Sequence, residues 1–112
     1  MKNQNSELIT MLHECAAACN NCSTACLEEN DVKKMIQCIR LDMDCAQICD
    51  LTAAFVARNS DHAPHLIKEC AEICSKCAKE CAKFENMEHC KVCADLCKKC
   101  ADMCQVNADV LN

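Results

Sequence analysis

Sixteen cysteines, spaced three, four or seven residues apart within each run, are the chemistry this sequence offers. Cys15, Cys19, Cys22 and Cys26 step by 4, 3 and 4, and Cys70, Cys74, Cys77 and Cys81 repeat that order. Cys90, Cys93, Cys97, Cys100 and Cys104 step by 3, 4, 3 and 4, whereas Cys38, Cys45 and Cys49 step by 7 and 4. On a helix of 3.6 residues per turn all these steps return to one face, the stripe that normally carries Leu and Ile into a core. A thiolate at such a position is a soft-metal ligand or a redox nucleophile. Asp42 completes the second stripe between Cys38 and Cys45. An inward carboxylate needs a thiol, backbone or metal partner, and hydrogen bonding is preferred here to ligation.

Buried cysteine can act simply as a small hydrophobe. Four facing stripes of it are expected to leave an underfilled centre, against the close packing of protein interiors, so a metal load is expected instead. Thiolates suit Cu(I), Zn(II) and iron–sulfur clusters. A buried tetrathiolate zinc site carries a double negative charge, and several together are costly to bury. Cu(I) bound one per thiolate is neutral, and bridging thiolates turn a continuous row of cysteines into a chain of sites. Zinc needs discrete tetrahedral sets. Iron–sulfur ligands typically lie in loops rich in Gly or Pro, of which this chain has none and one. A zinc or general heavy-metal buffer remains the alternative to a Cu(I) store, separable by stoichiometry. Thiol–disulfide exchange is the rival from another class, but its C-x2-C pair normally opens a helix in a βαβ setting, whereas these pairs run through helix interiors. No Ser/His/Asp set or carboxylate pair marks a reaction centre, so no catalysis is expected.

The elements that must position these thiols are helices. Ala, Lys, Glu, Met and Leu favour helix, and without glycine tight hairpins lack their raw material. Breaks at Glu28–Asp31, Arg58–Pro64 and Phe84–Glu88 leave four segments, read as one all-α domain over 1–112. Short connections imply an antiparallel up-down-up-down four-helix bundle with a cysteine-lined core. Asp31, Asp61 and Asn86 are the expected N-caps, with Asn5 or Ser6 capping the first helix and Pro64 in the first turn of the third. The runs CAAACNNCSTAC, CAEICSKCAKEC and CKVCADLCKKC are a weak internal repeat.

That topology gives the bundle two unlike ends. Leu8, Met11, Leu12, Val56, Leu66, Ile67 and Leu111 continue the stripes with apolar residues and read as a closed plug. Cys26, Met35, Cys38, Cys81, Met87, His89 and Cys90 collect at the other end, where thioether and imidazole groups flank the outermost thiols, and read as the mouth. Met35 and His89 are placed to hand incoming Cu(I) inward. His13, His62 and His65 fall off or beside the stripes and read as surface groups.

A formal charge of −5 and a pI near 5.3 argue against nucleic acid or an anionic membrane surface as partner. Charges interrupt every long apolar stretch, and the N-terminal residues offer neither an apolar signal core nor a twin arginine. The cytoplasm is therefore expected, where thiols stay reduced and so many cysteines point to metal rather than to disulfides.

The CAAACNNCSTAC run, CIRLDMDCAQIC on the second segment, and the paired C-x2-C and C-x3-C steps of the third and fourth resemble the bacterial copper storage proteins across almost the whole chain. The resemblance implies a four-helix bundle holding many Cu(I) ions, and the missing export signal is similar to the family's cytosolic branch. It further implies a homotetramer, copper admitted at a mouth served by Met35, Met87 and His89, and exchange with copper donor or acceptor proteins. Ile36, Ile39, Met43, Ala46 and Ala54 form a second apolar stripe on the second helix, which suits either subunit contact or sideways packing within one bundle.

Overall fold

Strong helix formers fill every segment, and the chain answers with helix wherever it is not turning. The computed structural model describes residues 3–111, with side chains for 5–108. It contains α1 (Asn3–Leu27), a 3-10 turn (Val32–Met35), α2 (Ile36–Ala57), α3 (Ala63–Ala82) and α4 (Glu88–Leu111), with no strand among the described residues. Each α-helix packs against its two neighbours around the ring α1, α2, α3, α4, and the helices run up, down, up and down. The bundle measures 44 × 20 × 18 Å. The expected all-α antiparallel four-helix bundle is what forms.

The breaks fall where the sequence puts them, but the caps do not. Asn5 and Ser6 lie inside α1. Asp31 precedes the 3-10 turn without a side-chain capping bond, and its carboxylate pairs instead with Lys34 at 3.6 Å. Met35 and His62 are the N-cap residues of α2 and α3, neither with a side-chain bond. At the start of α4 the Met87 carbonyl, not Asn86, accepts from the Cys90 and Lys91 amides at 3.1 and 3.0 Å. Packing explains the first displacement: the unexpected 3-10 turn swings Met35 under the end of the bundle, where it is 1% exposed. Pro64 does lie in the first turn of α3.

A chain without glycine needs another residue where the backbone turns left-handed, and among the described residues Asn59 takes that conformation at φ 53°. The Ser60 amide reaches back to the Phe55 carbonyl at 3.0 Å and the Asn59 amide to Val56 at 3.0 Å, the paired bonds of a Schellman ending. The Arg58 guanidinium covers the Phe55 ring at 4.8 Å, close enough for a cation–π contact over that turn.

The apolar end is a packed plug. Leu8, Leu12 and Ile67 are wholly buried, Met11 and Val56 nearly so, and Leu66 half so. The Leu111 side chain lies outside the described residues. Two polar groups the sequence reading missed continue the stripes there. Thr52 donates to the Leu66 carbonyl at 3.5 Å, and the Asn107 amide donates to the Met103 carbonyl at 2.8 Å. Between plug and mouth every cysteine is a fully buried free thiol. The expected underfilled centre is corrected by their spacing, since neighbouring sulfurs lie 3.4 to 4.0 Å apart, in van der Waals contact. The small side chains have let the helices close in. On α2, Ala46 is buried within its own bundle and Ile39 and Ala54 are half-buried, so of the second stripe only Ile36 and Met43 stand exposed, joined by Leu51.

Nothing in these contacts requires a metal, so the reduced, metal-free chain is expected to give a strongly helical circular dichroism spectrum; a coil spectrum would refute this. Leu12→Ala removes plug packing that thiols cannot replace, and urea unfolding of the metal-free variant is expected to show a loss of about 2–5 kcal/mol.

Candidate metal centre

The four stripes meet on the bundle axis because each helix keeps its cysteines within one narrow face and the helices lie nearly parallel. Farthest from the mouth, Cys104 lies against Cys70 and Cys100, and Cys70 approaches Cys49 at 3.7 Å and Cys74 at 3.8 Å. Next come four-donor groups whose ligand atoms lie within 4.8 Å of one another. They are Cys15, Cys49, Cys74 and Cys100; then Cys15, Cys19, Cys45 and Cys97; then Cys19, Cys77, Cys93 and Cys97. Toward the mouth follow Cys22, Cys38, Asp42 and Cys81, and finally Cys22, Cys26, His89 and Cys90. The groups overlap: Cys15, Cys19, Cys97 and Cys22 each stand in two of these five.

Metal–sulfur bonds near 2.3 Å place three sulfurs around one ion about 4.0 Å apart. The thiols already stand close to that spacing. Cys38 and Cys81 are 3.4 Å apart, Cys19 and Cys97 3.5 Å, Cys45 and Cys74 3.5 Å, and Cys22 and Cys90 3.8 Å. Bringing such sulfurs to the spacing of a three-coordinate metal therefore takes shifts of only a few tenths of an ångström.

Asp42 sits at the joint between the mouth groups and the deeper ones. It is fully buried, and its Oδ1 accepts from Cys77 at 3.2 Å, Cys93 at 3.3 Å and Cys81 at 3.4 Å. Cys38 faces Oδ2 at 3.8 Å. Desolvation, with the neighbouring Cys93 and Cys77, raises the Asp42 carboxyl to about 10. Thiols are weak donors, so three of them do not offset the loss of water around the charged form. Desolvation likewise raises the Cys90 thiol to about 11, with Cys38 adding repulsion, and raises Cys26.

At the mouth the His89 Nδ1 lies 3.5 Å from the sulfur of Cys90, 3.6 Å from Cys22 and 3.9 Å from Cys26. Its Nε2 meets Glu29 Oε2 at 2.8 Å. Met35 is buried in the same end and Met87 packs half-buried against the core. The structure thus gathers all sixteen predicted cysteines with Asp42 and His89 into one continuous array, and leaves His13, His62 and His65 exposed. His13 meets Asp50 at 3.0 Å on the surface. Glu29 was missed. It lies in the break after α1, where no periodicity tells which way a side chain points.

Comparison with known proteins gives these features a family. The model of the copper storage proteins matches residues 1–109. The cysteine-rich protein YhjQ of Bacillus subtilis is 41% identical over 81 residues, covering 72% of this chain and 74% of its own. Among solved structures, the Cu(I)-bound copper storage protein BsCsp3 of Bacillus subtilis superposes with a TM-score of 0.88 at 36% identity, over 93% of this chain and 97% of that one. A cytosolic copper storage protein from Streptomyces lividans, solved with five coppers, gives a TM-score of 0.88 at 39% identity, over 91% of this chain and 89% of that one. With its bundle, its sulfur array and these matches, the chain belongs to the copper storage protein family.

Proposed function

We infer that this bundle stores and buffers Cu(I) along its axis, with the sixteen cysteines as ligands and no catalytic step. The observation that carries the reading is the sharing of Cys15, Cys19, Cys97 and Cys22 between adjacent donor groups. Shared corners suit a metal that accepts two or three bridging thiolates and leaves no net charge when bound one per thiolate. A zinc buffer draws support from all-cysteine groups such as Cys15, Cys49, Cys74 and Cys100, but closed tetrahedral sites need separate ligand sets, and here the sets overlap. Thiols lose their protons as copper binds, so loading is pH-dependent.

Copper is admitted at the mouth formed by Cys22, Cys26, Cys90 and His89, with Met35 and Met87 as thioether stepping stones, and Asp42 orders the empty thiols without ligating. The plug closes the far end. The working location is the cytoplasm, in keeping with the cytosolic Streptomyces lividans relative. No helix among the described residues is long and apolar enough to cross a membrane. The assembly is a homotetramer joined through α2, where Ile36, Met43 and Leu51 are 45, 51 and 47% exposed. Gel filtration with light scattering tests this, and a monomer at micromolar concentration would refute it.

Anaerobic titration of the reduced chain with Cu(I), and separately with Zn(II), is expected to give copper that co-elutes at about one ion per cysteine, against at most one zinc per four thiols. Saturation near four metals per chain with zinc preferred would replace the copper reading.

Asp42 gives a second expectation. Its folded-state value lies above the ordinary carboxylate, so the folded metal-free bundle holds a proton that the unfolded chain releases. Stability contributed by that proton is full below the ordinary carboxylate value and falls as pH rises toward about 10. Between pH 5.5 and 8, urea unfolding of the metal-free chain is expected to lose up to about 1.4 kcal/mol per pH unit from this group. Asp42→Asn is expected to flatten that slope; equal slopes would refute the assignment.

A further inference from the structure

We propose that Glu29 is the positioning residue of the mouth: its carboxylate fixes the His89 ring so that Nδ1 presents a lone pair to the three outermost thiols. The proposal rests on the Cu(I) storage reading and deepens it. Glu29 lies in the connection between α1 and the 3-10 turn, and His89 in the first turn of α4, 60 residues farther along the chain. The two meet at 2.8 Å through Oε2 and Nε2. Both are largely sheltered, with side chains 32% and 15% exposed, so the contact is less screened than an ordinary surface ion pair.

The chemistry follows from what each atom can offer. An ionised carboxylate only accepts hydrogen bonds, so Nε2 must carry the hydrogen. In the neutral ring Nδ1 is then the unprotonated nitrogen, and it is the one facing Cys90, Cys22 and Cys26. Without Glu29 the ring is free to take the other tautomer, which turns an N–H toward the arriving cation, or to rotate out of the mouth. Histidine ligands to metals are generally held this way by a carboxylate on the far nitrogen, and losing that partner costs about 10–100-fold in affinity. The same bond ties the end of α1 to the start of α4 across the opening, so it also sets how far Cys22 and Cys26 stand from Cys90.

Other ionic contacts of the described residues do not share this geometry. Lys34 with Asp31, Lys76 with Glu72, Lys83 with Glu80 and Lys98 with Asp102 join residues only three or four apart along the chain. The His13 and Asp50 pair is exposed on both sides.

The test uses the full-length, reduced, metal-free chain with nitrogen-15-labelled histidine. Nitrogen NMR reads the His89 tautomer directly, and competition with a chromophoric Cu(I) chelator reads the affinity for the first equivalent. The wild type is expected to hold one tautomer, with the proton on Nε2. Glu29→Ala, verified as helical by circular dichroism, is expected to show mixed tautomers and a first-equivalent affinity about 10–100-fold weaker. Glu29→Gln keeps an acceptor oxygen and is expected to recover much of both. Unchanged tautomer in Glu29→Ala, or a changed tautomer with unchanged first-equivalent affinity, overturns the role. A wild-type chain that takes up no Cu(I) overturns the storage reading and this role with it, whereas wild-type uptake with an indifferent Glu29→Ala overturns this role alone.

Discussion

Sulfur contact between helices is the constraint on which everything else in this bundle rests. A cysteine side chain buries little apolar area, so a layer of thiols contributes less to cohesion than a layer of leucines. The helices compensate by approaching until sulfurs touch at 3.4 to 4.0 Å, and the larger apolar residues are concentrated at one end. The ligand array and the packed core are thus one set of atoms. The chain cannot adjust one without the other, and the burden of holding four helices together falls on Leu8, Leu12, Ile67 and their neighbours.

The same doubling of roles explains the buried carboxyl. A core of thiols offers only weak donors and weak acceptors, and one carboxylic acid among them gathers four sulfurs around two oxygens. Its neutral form is tolerable in a site without water, where a carboxylate would not be. Asp42 therefore gives the otherwise slippery middle of the bundle a directional anchor.

Much of this was legible in the residues. Spacing of three, four and seven fixed each stripe, and Pro64, the polar breaks and the lack of glycine located the turns within a residue or two, except that α2 begins at Ile36 and not just after Asp31. The placement of Asp42 and of His89 followed from the same periodicity. Legibility failed where periodicity stops. Capping residues were misplaced because burying Met35 outweighed a side-chain cap at Asp31. Glu29 was invisible because a loop side chain has no face until the loop is built. Ala46 looked outward on a wheel drawn for one helix and is inward once a neighbour covers it. The void expected at the centre was an error of treating interhelical distance as fixed when side-chain size sets it.

The apolar plug gives the bundle unlike ends, and on the proposed route through the mouth it makes a vessel with a single way in. In such a vessel order matters: cargo laid down last lies on top and is the first to be withdrawn. On the proposed route, a partner removing copper from a full bundle would meet first the ligands proposed at Cys22, Cys26, Cys90 and His89. The deeper array would then act as reserve, its contents rising toward the mouth through shared corners such as Cys22, Cys19 and Cys15 as the upper layer empties.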